Sequence, residues 1–190
     1  SSFRYQIDMF TMPPSFAHGI TLSNYYDGLI VKGNLRTFAN TLTITLSSLA
    51  ISIFVGTLAA YAFSRLKFPG SNVLLTAVVF MQTIPRMTLM IPLYTIFVGL
   101  GIRDTFHGLT LAYTTFQIPL VVLITRGFFA EIPKDLEEAA FVDGCQRLQA
   151  FLKVVLPLAT PGIVATAGIC LLFSWNEFAL PLALSEQQTK

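Results

Sequence analysis

Glu131-Ile-Pro-Lys-Asp-Leu-Glu-Glu-Ala-Ala-Phe-Val-Asp-Gly-Cys-Gln-Arg-Leu-Gln-Ala-Phe-Leu-Lys-Val-Val-Leu-Pro157 holds five of the chain's 10 acidic residues and lies between two long apolar runs. Its pattern predicts two short helices. Pro133 suits a helix start, and Asp135, Glu137 and Glu138 put negative charge in the first turn, where the helix dipole favours it. Leu136, Ala139 and Ala140 share one face at i, i+3 and i+4, a nearly flat surface with one apolar knob. Gly144 reads as the C-cap residue, and Asp143 followed by Gln146 resembles a capping box for the second helix. On that helix Leu148, Phe151, Leu152 and Val155 form an apolar stripe, with Arg147, Gln149 and Lys153 off it. Pro157 is expected to end it, and Pro161 to open the next segment.

Outward from this stretch, charge-free runs cover 37–64, 68–85, 87–102, 105–125 and 154–176. A spanning helix needs about 20 apolar residues. Only Arg86 separates the second and third runs, so they join, and four spans are predicted at about 37–64, 72–98, 105–129 and 158–182, with 131–157 outside the bilayer. Pro85 and Pro92 lie in the joined span and predict a kink or break there. Residues 1–36 read as an extracytoplasmic tail and 37–190 as one transmembrane domain. The fold class is therefore all-α, a polytopic membrane helix bundle.

The composition agrees. The chain's 190 residues are 54% apolar and 12% charged, where an average soluble domain has about 25% charged residues. Mean hydropathy is +0.67, which argues against a soluble enzyme. A net charge of +2, thinly scattered, does not suit nucleic-acid binding. Cys145 and Cys170, like His18 and His107, have no neighbours at metal-ligand spacing, and no Gly-x-x-x-x-Gly-Lys-Ser/Thr loop is present to cradle ATP. No catalytic, metal or cofactor residue is therefore assigned. Between spans, Arg65, Lys67, Arg126, Lys134, Arg147 and Lys153 fall on one side and Arg103 on the other, so positive-inside bias puts the first group in the cytoplasm. The tail charges Arg4, Lys32, Arg36 and Lys190 nearly offset that bias.

Small residues recur every four positions at Ser48, Ser52, Gly56, Ala60 and Ser64, and again at Gly162, Thr166, Cys170 and Ser174. Such stripes let membrane helices approach closely, here within the chain or against another subunit, and the first reading is preferred. Arg86 is the charge nearest mid-bilayer; it either lines a polar path or snorkels beside the Pro85 break. Asn176 and Glu177, after Trp175 near the outer end of the last span, join it as candidate path residues or else reach headgroup water.

The stretch around Glu138 resembles the EAA signature of membrane permease subunits in binding-protein-dependent ABC importers: Glu-Ala-Ala, three residues, Gly, nine residues, then Ile-x-Leu-Pro. Glu138-Ala139-Ala140, Gly144 and Val154-Val155-Leu156-Pro157 keep that spacing, with Val154 for Ile and Cys145 where Ala is more usual. Asn40, Tyr61-Ala62-Phe63-Ser64-Arg65, Phe68-Pro69-Gly70, Ile91-Pro92-Leu93-Tyr94, Leu100-Gly101 and Trp175-Asn176-Glu177-Phe178 are similar to the carbohydrate branch, in particular its second, maltose-system-like permease subunit. The resemblance implies a type I importer permease fold with cytoplasmic coupling helices between the third and fourth spans, and a chain lacking one family helix at each end. It implies an inner-membrane, multi-pass protein of a bacterium or archaeon, working with a second permease subunit, an ATPase dimer that binds ATP and Mg, and an extracytoplasmic solute-binding protein. On this reading Glu137, Glu138, Ala139, Ala140, Asp143 and Gly144 couple to the ATPase, and Leu136, Leu156 and Pro157 support that segment. The alternatives are an importer for a non-sugar solute and, less favoured, a secondary transporter, for which the helix pairs show no convincing internal repeat.

Overall fold

A computed structural model describes residues 26–28 and 34–184. These divide at Leu42/Thr43 into two compact units, and the second, residues 43–189, carries the bundle. The helices are α1 (Asn34–Arg65), α2 (Ser71–Thr83), α3 (Arg86–Gly99), α4 (Phe106–Glu131), α5 (Asp135–Val142), α6 (Arg147–Trp175) and α7 (Ala179–Leu184). Among the described residues no strand occurs.

α1, α4 and α6 are each long and apolar enough to cross a membrane. α4 is central: 56% of its most apolar window is buried, against 33% for α1 and 28% for α6. The small-residue stripes pack against it. Ser48, Ser52, Gly56 and Ala60 are buried on α1, as are Gly162, Thr166, Cys170 and Ser174 on α6. A Cβ at Gly56 would lie 2.6 Å from Val121 Cγ1, and one at Gly162 would lie 2.3 Å from the Phe128 ring, so both α4 contacts depend on the missing side chain. The stripes thus close the chain on itself, by van der Waals contact in a medium where lipid competes for apolar surface.

The second predicted span is broken. α2 and α3 meet at 102°, with Ile84 and Pro85 extended between them. Proline removes the donor that would have continued the ladder. Pro92, by contrast, stays inside α3. The pair still carries the chain from one end of the bundle to the other. It starts beside Arg65, whose side chain reaches Ile132 O and Glu137, and it leads to Asp104, whose N–H donates to Leu184 O at 3.0 Å. A core cluster marks each end: Ala60, Tyr61, Phe129, Phe151, Val155 and Ala159 at the first, and Ile44, Phe97, Leu109, Ala112, Tyr113, Leu180 and Leu184 at the second.

Three local expectations need correction. Pro157 does not end a helix and Pro161 does not open one: both lie inside α6, which runs unbroken from Arg147 to Trp175. A π turn at Phe151–Val155 precedes the proline, with Leu156 N–H donating to Phe151 O. That wider turn shifts the hydrogen-bond register just where the ring would clash and the donor is missing. The last crossing also stops at Trp175, short of 182, and a separate helix, α7, follows. Finally, Asp143 does not cap the second helix. It closes α5, while Gln146 begins the next helix, its N–H donating to Gln149 Oε1 at 2.9 Å. Of the expected tail at 1–36, all but residues 26–28 and 34–36 lies outside the described residues.

Candidate functional site

α5 projects from the end where α1 and α4 finish. Its start carries Asp135, Glu137 and Glu138, and it ends in a Schellman motif: Gly144 N–H donates to Phe141 O and Cys145 N–H to Ala140 O, at 3.0 and 2.9 Å. Gly144 adopts φ +86°, a left-handed conformation that a side chain would strain, and so turns the chain back toward α6.

The two faces of α5 differ. Glu137 and Ala140, one turn apart, are buried in the chain at 5% and 8% exposure. Glu137 Oε2 accepts from Tyr61 OH at 2.9 Å, and its Oε1 accepts from Arg65 Nε. Arg65 Nη2 also donates to Ile132 O at 2.7 Å, so one guanidinium ties the end of α1 to both the end of α4 and α5. Tyr61 is in turn wedged against Phe129 and Phe151, with ring centroids 6.0 and 4.6 Å away. Glu138, Ala139, Asp143 and Gly144 are exposed, as are Leu136 at 43% and Val142 at 88%. Leu156 packs against the Tyr61 cluster, and Pro157 is exposed.

This corrects two assignments. Glu137 does not present its carboxylate outward: it is buried, and its two oxygens accept from Tyr61 and Arg65 of α1. Ala140 does not share the outer face with Leu136 and Ala139; it turns inward with Glu137, and Val142 takes its place in the exposed apolar stripe. Tyr61 and Arg65 were legible only as part of a motif. Their partner lies 76 and 72 positions away, which no local pattern reveals.

Toward the other end, Arg86 Nη1 donates to Glu177 Oε2 at 3.2 Å. Its guanidinium lies 5.7 Å from the ring centres of both Phe116 and Phe173, close enough for cation–π attraction. Glu177 Oε1 also accepts from the N–H groups of Ala179 and Leu180, at 3.0 and 3.3 Å, which starts α7. These groups border a cavity of about 10 Å³, room for one water. Next to it Gln117 Nε2 donates to Ser174 Oγ and, at 3.4 Å, to Ser48 Oγ, joining α4 to α6 and α1 by a buried polar link that sequence reading missed. Asn176 does not join this group. It is exposed, and its Nδ2 donates to Leu172 O at 2.8 Å, back along its own helix.

A bundle of helices long and apolar enough to span a membrane, with an amphipathic segment projecting from one end and a polar cluster toward the other, defines a multi-pass membrane protein. Residues 51–188 match the family described as binding-protein-dependent transport system inner membrane component, and the chain belongs to that family. It is 41% identical over 168 residues to the trehalose transport system permease protein SugB of Mycobacterium tuberculosis, covering 87% of this chain and 61% of that protein. It is 35% identical to the alpha-glucoside transport system permease protein AglG of Rhizobium meliloti, covering 90% of this chain and 46% of that one. Among solved structures, a bacterial ABC transporter involved in the import of the acidic polysaccharide alginate superposes with a TM-score of 0.76 at 28% identity, covering 90% of this chain and 60% of the matched chain. The chain thus spans about half to three-fifths of the length of these relatives. It is a multi-pass inner-membrane component.

Proposed function

We propose that this chain lines the translocation path of an ATP-driven importer for a sugar or sugar-like solute and is coupled through α5 to a separate ATPase. The observation that carries the reading is the outer face of α5. Leu136, Ala139 and Val142 leave an apolar stripe uncovered beside the carboxylates of Glu138 and Asp143, and the acids suit a protein groove better than anionic lipid. Hydrolysis of ATP with Mg belongs to a partner dimer. A second permease subunit and a solute-binding protein complete the importer. Closure of the ATPase dimer would displace α5 and shift the permease pair between inward-open and outward-open arrangements.

A sugar is the favoured solute for two reasons. The relatives' names point to glycans, and the charge of Arg86 is neutralised by Glu177 between aromatic rings, so the cluster has no net pull on an anion. Glu138→Lys or Gly144→Pro should leave the chain inserted and uncouple uptake from hydrolysis. The test reconstitutes the importer in proteoliposomes and measures ATPase stimulation by loaded binding protein together with uptake of labelled disaccharides, glycerol phosphate and amino acids. Unchanged coupled transport in both variants would count against the reading, and amino-acid uptake alone would count against a sugar.

A further inference from the structure

We infer that Tyr61, Arg65 and Glu137 form a clamp that makes α5 and the end of α1 move as one body, so that Glu137 is a positioning residue for coupling, not a contact to the ATPase. The inference rests on the proposed coupling of α5 to an ATPase and assigns a part to groups that reading leaves unused.

Adjacent acids on a helix point about 100° apart. Glu138 therefore faces outward while Glu137 faces the bundle, where it is 5% exposed. α5 has only eight residues and joins α4 and the α6 helix through short loops. A rod so short has little apolar surface to fix its orientation, yet both oxygens of its one buried carboxylate are held by α1. Arg65 adds Ile132 O at the α4–α5 junction, so a push on the outer face of α5 reaches two spanning helices through a single guanidinium. Both side chains of the pair are about as buried as the aromatic core behind them, at 6% and 7% exposure. Separating them would leave a mostly buried charge without its counter-charge at the edge of an open pocket of about 140 Å³, and that cost is what makes the link stiff. Tyr61 continues the link into Phe129 on α4 and Phe151 in the π turn of α6. The clamp thus contacts every long helix of the bundle.

The test uses the assembled importer carrying nitroxide labels at Ile91→Cys on α3 and Phe178→Cys beyond α6, both exposed, with Cys145 and Cys170 changed to Ser. Label distances are compared without nucleotide and with ATP plus vanadate, and ATP hydrolysis is measured on the same sample. In the unaltered chain ATP plus vanadate should shift the distance. Glu137→Gln and Arg65→Gln should each lower the ratio of shifted to unshifted population about tenfold while hydrolysis persists. The double variant should be no worse than the poorer single, as two parts of one link require. Tyr61→Phe, which removes one hydroxyl and keeps the ring, should lower the ratio by about twofold. A full distance shift in both Gln variants, or single-variant deficits that multiply in the double, would overturn the clamp. Failure of ATPase subunits to co-purify with the unaltered chain would instead strike the proposed function, and the clamp with it.

Discussion

Two arginine–glutamate pairs among the described residues, Arg65–Glu137 and Arg86–Glu177, are built to opposite ends. The side chains of Arg65 and Glu137 are 6% and 7% exposed at the margin of an open pocket of about 140 Å³, and each carboxylate oxygen accepts from α1; Arg86 is 38% exposed and its partner Glu177 12%, beside a water-sized cavity. Arg65 is anchored at the end of a 32-residue helix and backed by three aromatic rings. Arg86 is the first residue after the break between α2 and α3, held by a 3.2 Å contact and two ring faces. A buried pair with every partner in place resists separation, and a half-open pair beside a broken helix separates readily. The difference teaches which end of the molecule is fitted to transmit a force and which to yield to one.

Stability measurements on the detergent-solubilised chain can break or sharpen that contrast. Glu137→Ala leaves Arg65 buried without its counter-charge and should lower stability by about 3–5 kcal/mol, read as a fall in the thermal midpoint. Tyr61→Phe keeps the aromatic cluster and removes one hydrogen bond to a charged group, so a loss of about 1.5 kcal/mol is expected from denaturant titration. Glu177→Ala removes the acceptor for Ala179 and Leu180 along with the Arg86 contact, and should cost about 1 kcal/mol, with α7 the first element to gain hydrogen exchange. Arg86→Gln should be the mildest, about 0.5 kcal/mol, while it alters transport rates in the reconstituted importer. Equal losses at Glu137 and Arg86 would erase the distinction.

Much of the bundle was legible because its signals are periodic or local. A four-residue repeat of small side chains located the faces of α1 and α6 that meet α4, and positive φ at Gly144 follows from the need to end α5 and reverse the chain. Pro85 marked a break and stands at one, whereas Pro92, with the same missing donor, is held inside α3. Pro157 misled because the π turn before it, a property of the whole α6 ladder, absorbs the defect. The candidate site was legible in its spacing and not in its facing. Neighbouring Glu137 and Glu138 have the same chemistry, and only the approach of α1 decides which one turns inward. The Gln117 link, likewise, joins helices whose order in space no single segment encodes.

The central claim is that the outer face of α5 meets an ATPase while its inner face is held by α1. Cysteine crosslinking from Val142→Cys, 88% exposed, in cells that import normally, tests it most directly. The account predicts a crosslinked product containing an ATPase subunit, lost when Glu138→Lys is added. Efficient crosslinks to lipid or to the chain's own spans, with no ATPase captured, would contradict it.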